Sequence, residues 1–477
     1  MQTLALLLSL SLHSASDSPA RVAAGPWPQV QAPNAASDPT RTKLIGGLLR
    51  LAAWANDNEL FARRDAVWRT VLALEPDNAE ARKGLRYSRD GAGHWKEPAP
   101  RTVQDRKPAL IAEFVRKRAG IVEPWRQSVL EALDRERADA SRREAALLEI
   151  LQVDPDDAVV HGLRGELRVD DAWVLTETLL GKSRRAEIRQ WVEEARATSP
   201  EPEVLGATSD DVALLPTWKL VLGSERTRVL LQTDEAEAKD MLQSGHVARS
   251  LVSRLCGKDV GPWPGFTAYV LVEPADRGKL LAAIPGGSDD DRKSWSDAVG
   301  FGIPGTASVV LWDKDRQRRL DCYVRHLVAS CFYTGYGIDH RLGWIVDGLG
   351  IYLTREIVGT RFTWFTPGKA SDKGLLRGRL SSPKANWMAE AQALLKRGDA
   401  PRLAQVLALD LSDMRAEDLL VSYAFAAYLL EGQGQALPEI LERVGAGGAG
   451  PDTLAAVIGN PVEEIERRFA RWIDERK

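Results

Sequence analysis

The chain has 477 residues, with 64 Lys and Arg against 67 Asp and Glu and a formal net charge of −3. That length suits about two or three domains with proper cores, and the near-neutral balance leaves no electrostatic footprint for nucleic acid. Its three cysteines, Cys256, Cys322 and Cys331, are too few for a disulfide framework.

The chain opens with an apolar run from Leu4 to Leu12, followed by small residues near Ala15 and Ser16. Residues 1–16 resemble a secretory signal, although no Lys or Arg precedes the run. The expected location is therefore secreted or periplasmic. The run is too short to span a bilayer, and no later stretch reaches the roughly 20 apolar residues a spanning helix needs. Residues 17–41 are rich in Pro, Ala and Ser and read as a linker.

Residues 42–200 read as all-helical and contain a weak internal repeat. Val71–Trp95 matches Glu149–Trp173 at a distance of about 78 residues. Pro76 aligns with Pro155, Gly84 with Gly162 and Trp95 with Trp173. Each copy has an apolar helix, an acidic-Pro-Asp break, a second helix, and a polar turn ending in Trp. Pro at a helix start with Asp or Asn beside it caps free N–H groups. The phrase resembles the helix junction of tetratricopeptide repeats. That resemblance implies either a partner-binding array or a module that props the next domain.

Pro200, Pro202 and Gly206 mark a break, after which the pattern changes. Strands are expected at Lys219–Leu222, Thr227–Gln232, Thr267–Val272 and Ala307–Trp312. Helices are expected at Glu235–Leu255, Asp276–Ala283 and about Arg319–Tyr333. Pro285–Asp291 reads as a polar loop; its Asp289-Asp290-Asp291 run lacks EF-hand spacing. Arg377-Gly378-Arg379 reads as a surface loop. The part beyond Ala389 is helical again, including Val421–Gly432 and Val462–Glu475. The fold class is α+β and mostly helical. A helical-repeat module precedes residues 217–380, which carry a small mixed sheet, and residues 381–477 form a helical half of the same domain.

The chemistry-bearing stretch is 325–356. One helix reads His326-Leu327-Val328-Ala329-Ser330, and the next reads Trp344-Ile345-Val346-Asp347-Gly348-Leu349-Gly350-Ile351-Tyr352. With the element order before them and the closing phrase Gly459–Ile473, these resemble the peptidase-MA-like group of gluzincin metallopeptidases. In that group, two histidines at i and i+4 and a glutamate from the next helix hold zinc, and an intervening glutamate is the base. Here Leu327 stands in place of the base and Ser330 in place of the second histidine. Asp347 stands where the ligand glutamate would be, one methylene shorter. The resemblance also implies that Ser308–Leu311 is an edge strand lining an open cleft, with Asp347 facing His326 across two packed helices.

His326 and Asp347 are therefore candidates for a relic of a zinc site. Cys322, at i and i+4 with His326, could join them in an altered zinc site, with His340 from the following loop. The alternatives are structural: a buried histidine bonded to Asp347 or backbone, and Asp347 as a partner of His326 or Arg325. Gly348 and Gly350 would permit close helix approach. No nucleotide loop or serine-hydrolase elbow is present. The expected function is that of an exported, non-catalytic peptidase-like protein binding a peptide or protein partner, with no cofactor. The other readings are a metal-dependent peptidase with a non-standard site, and a purely structural helical-repeat scaffold.

Overall fold

A computed structural model describes residues 39–96, 98, 104–224, 226–284, 289–303, 306–359, 375–382 and 384–476. The expected signal and almost all of the expected linker lie outside the described residues. Contacts divide the chain into two compact units, with the division between Ala132 and Leu133. It falls inside residues 42–200, between the two copies of the repeat.

The first unit holds α1 (Pro39–Asp57), α2 (Phe61–Leu74), α3 (Ala79–Gly84), the hairpin of β1 (Ser88–Arg89) and β2 (Trp95–Lys96), and most of α4 (Pro108–Arg135). Leu44, Leu48, Leu51, Val67 and Val71 are buried on the facing sides of α1 and α2. The second unit opens with α5 (Ala140–Val153), α6 (Ala158–Leu163), the hairpin of β3 (Glu166–Val169) and β4 (Ala172–Leu175), and α7 (Thr176–Ala197).

The two stretches matched in sequence share this order of elements, and they are not all-helical as their sequence suggests: each Trp lies in a β-hairpin. The helix before the break ends at Glu75 with φ −133° and ψ 86°, and in the second copy at Asp154 with φ −132° and ψ 89°. Asn78 caps α3 through Ala81 N, and Asp157 caps α6 through Val159 N and Val160 N. Arg82 donates to the Pro76 carbonyl at 2.7 Å and lies over Trp95 at 4.5 Å. At the matching place His161 bonds the Pro155 carbonyl at 2.8 Å and stacks on Trp173, with ring centroids 4.0 Å apart. Different side chains thus close the same turn.

The sheet region comes next, with β5 (Glu203–Val204), α8 (Ser209–Leu214), β6 (Leu220–Ser224), β7 (Thr227–Leu231), α9 (Glu235–Cys256), β8 (Phe266–Val270), α10 (Pro274–Ala283), α11 (Asp289–Asp297), β9 (Gly300–Ile303) and β10 (Ser308–Leu311). The strand order is β5-β6-β7-β8-β10-β9. β7, β8 and β10 run parallel; β5–β6, β6–β7 and β10–β9 are antiparallel. The chain is therefore α+β, mostly helical, with a small mixed sheet. Two expectations change here. Of the loop expected at 285–291, residues 285–288 lie outside the described residues and 289–291 begin the helix α11, and β10 is not an edge, because β9 pairs along its outer side.

Side chains alternate across β10. Val309 and Leu311 join the larger core, and Val310 and Trp312 join a smaller core with Tyr269, Leu280 and Phe301. The larger core is completed by α12 (Arg316–Tyr336), a π-helical turn at Trp344–Leu349 continuing into α13 (Gly350–Val358), and the helices beyond. Those helices are α14 (Leu375–Leu380), α15 (Trp387–Lys396), α16 (Leu403–Leu407), α17 (Ala416–Gly432), α18 (Leu437–Gly445), α19 (Gly450–Ile458) and α20 (Val462–Glu475). Arg377 and Arg379 lie on α14 rather than on a loop, and Arg379 pairs with Glu390 at 3.1 Å. No described helix is long and apolar enough to cross a membrane.

Candidate functional site

The site is built on α12. Asp315 caps its start by accepting from Gln317 N at 2.9 Å, and Gly337 ends it in the left-handed conformation, φ 71°. Arg319 ties the helix to α9 by two bonds of 2.7 Å to Glu237, both side chains being buried. The spacing of residues along α12 then sends the candidate groups in two directions.

Cys322, His326 and Ser330 lie one turn apart and face the sheet edge and the loop before β8. A Cβ added to Gly300 of β9 would come within 2.9 Å of Cys322 Sγ, and one added to Gly302 would lie 4.0 Å from His326 Cε1. Those two glycines let the helix sit close to the edge strand. Ser330 Oγ accepts from Trp263 N at 2.8 Å. Burial pushes the Cys322 thiol far above its ordinary value, so it is not the thiolate that metals prefer. All three cysteines are free and buried. His326 is half-buried, with Nε2 enclosed, and burial together with the charge of Arg325 lowers its pKa to about 3. The ring is neutral at neutral pH.

Arg325 points from α12 toward the second helix. Its Nη2 donates to Asp347 Oδ1, and both side chains are fully buried. Its Nη1 lies 3.7 Å from Asp321 Oδ2, one turn back on α12. Burial raises the pKa of Asp347, opposed by the adjacent guanidinium. The other carboxylate oxygen, Oδ2, has no hydrogen-bond partner among the described residues. The expected face-off of Asp347 with His326 is thus replaced by a bond to Arg325. His340 is exposed on the connecting loop beside Asp339.

Among the described residues, no group of three or more His, Cys, Asp and Glu is placed to hold a metal ion. The donor set does not fit zinc: Asp347 is held by a guanidinium, Cys322 is a buried thiol against Gly300, and His340 is exposed to solvent. The decisive residue, Arg325, resembles a surface residue by type. Its neighbours carry the signal that it is buried: Tyr323, Val324, Leu327 and Val328 surround it, and Asp321 stands at i−4. Comparison with protein-family models, with curated proteins and with solved structures returned no match.

Proposed function

We propose that residues 217–477 are a peptidase-like scaffold that binds a peptide or protein segment without cutting it. The observation that carries this reading is the buried Arg325–Asp347 pair. A guanidinium supplies the positive charge that the carboxylate would otherwise find in a metal ion, but it brings no open coordination position and activates no water. With Leu327 at the place of the base, the helices that would hold a hydrolytic centre are kept and its reactive groups are not.

The free side of β9 supports the binding half of the reading. It ends the sheet among the described residues, and Gly302 is exposed on it beside His326. An edge strand offers unpaired N–H and C=O groups to an extended segment, which adds to the sheet by main-chain bonds. The apolar leader at Leu4–Leu12 supports an exported setting. The test is a library of extended decapeptides presented to the purified protein. Bound peptides should be recovered intact, and Gly302→Lys, which places a long side chain on the edge, should weaken binding about tenfold. Binding unaffected by Gly302→Lys would contradict the use of this edge.

A further inference from the structure

Eight residues beyond Asp347 along the same helical segment, the last turns of α13 carry Arg355 and Glu356. They form one wall of an open recess of about 650 Å³, closed on its other sides by α7, α15, α17 and Arg476. That volume is in the range of small-molecule sites, roughly 300–1,000 Å³. Four arginines line it: Arg185, Arg189, Arg355 and Arg476.

Three of the four are committed. Arg185 reaches Glu431 at 3.1 Å, and Arg476 reaches the same carboxylate at 2.6 and 3.0 Å. Arg189 pairs with Glu356 at 3.3 Å. The side chain of Arg355 makes no hydrogen bond or ion pair with any described residue, although its Nη1 is buried; its guanidinium carbon lies 5.5 Å from the centre of the Tyr423 ring. A buried cationic donor is normally paired; Nη1 is enclosed without an acceptor among the described residues, and the Arg355 side chain forms part of the recess wall.

The rest of the lining selects the acceptor. Glu193 and Glu356 stand beside the arginines, so the recess favours one negative charge over two. Val192, Met388 and Tyr423 supply apolar wall next to the cation. A planar fork of donors matches a carboxylate by two parallel bonds. We infer that this recess binds a monoanionic carboxylate carried on an apolar stem, with Arg355 as the residue that holds it. Such a group occurs on a free organic acid and at the C-terminus of a peptide ending in an apolar residue. The inference is independent of the peptidase-like reading, since no group of that site contributes.

The probes are 3-phenylpropionate, its uncharged amide, and a pentapeptide ending in phenylalanine as free acid and as amide, each titrated calorimetrically into the full chain. At least one of the two acids should bind at sub-millimolar concentration, and its amide should bind about tenfold more weakly or worse. Tighter binding of the peptide acid assigns the site to a chain terminus; tighter binding of phenylpropionate assigns it to a free acid. Arg355→Met should lose about tenfold or more, and Arg355→Lys, which keeps the charge without the fork, should lose less. Thermal unfolding of both variants shows whether they fold, and the acid-to-amide comparison on the unaltered chain needs no variant. Absence of binding by either acid at millimolar concentration, equal binding of acid and amide, or a folded Arg355→Met that binds as before would overturn the assignment.

Discussion

Arg325 cannot lose its charge and cannot reach solvent, so its environment must answer it. Asp347 does so from the next helix and Asp321 from one turn back. A pair buried this completely is costly to break, because removing one partner strands the other. Arg325→Met should therefore destabilise the protein by about 3–5 kcal/mol in denaturant unfolding, and the double change Arg325→Met with Asp347→Leu should recover most of that loss. A single change that costs nothing would mean that the pair is not formed. His326 gives a second residue-level prediction, in pH. Its folded pKa, about 3, lies below the ordinary value of 6.5. The unfolded chain therefore takes up a proton that the folded ring refuses, and the stability this group contributes is full above about pH 6.5 and lost as pH falls toward 3. At pH 5 the loss is about 2 kcal/mol as a ceiling, since the ring is only half-buried. Asp347 works in the opposite sense, because its raised pKa makes stability fall as pH rises. The difference between the unaltered protein and His326→Gln isolates the histidine, and it should shrink as pH is lowered below 6.5.

At the scale of elements, the regular features were legible and the short ones were not. The strands that became β6, β7, β8 and β10 and the helices α9, α12 and α20 follow from alternation and helical periodicity over five or more residues, or from a four-residue apolar run bounded by turns. β9 reads Gly-Phe-Gly-Ile, and two glycines hide a strand whose Phe301 and Ile303 nevertheless face the smaller core. The hairpins of the repeat are hidden for another reason. β1 and β2 contribute two residues each, and what closes the turn is Arg82 in that copy and His161 beside β3 and β4 in the other, two basic side chains of different shape. The glycines of the second motif helix divide in a way only the structure decides. A Cβ on Gly348 would come within 2.9 Å of the Ser422 carbonyl oxygen on α17, while one on Gly350 meets nothing within 4 Å. Gly348→Ala should cost about 1–3 kcal/mol by forcing the helices apart. Gly350→Ala, at a helical position, should be neutral or stabilise by about 0.5–1 kcal/mol. Thermal unfolding of the two variants checks both signs.

At the scale of the whole molecule, three buried carboxylates tie the second copy of the repeat and α7 to the helices of the C-terminal half. Glu166 of β3 binds Arg164 at 2.8 Å and also meets Arg471 of α20. Glu177 of α7 accepts from Tyr428 at 3.2 Å and pairs with Arg468 at 3.1 Å. Glu431 of α17 gathers Arg185, Arg476 and the Tyr352 hydroxyl, the last at 3.0 Å. Each joins residues far apart in the chain, and nothing in local periodicity announces such pairs. The same holds at the candidate site. The two helices could be read from sequence, and so could Leu327 at the place where the resemblance expects a base, but the pairing of Asp347 with a guanidinium needed the fold. Under the proposed peptidase-like reading, that pairing takes the place of a metal site. Zinc content of the full chain, purified without chelators, together with mass-spectrometric analysis of a peptide library incubated with it, tests the proposed loss of hydrolysis most directly. No stoichiometric zinc and no cleavage are expected. One zinc ion per chain, with cleavage that a chelator abolishes and His326→Ala removes, would contradict it.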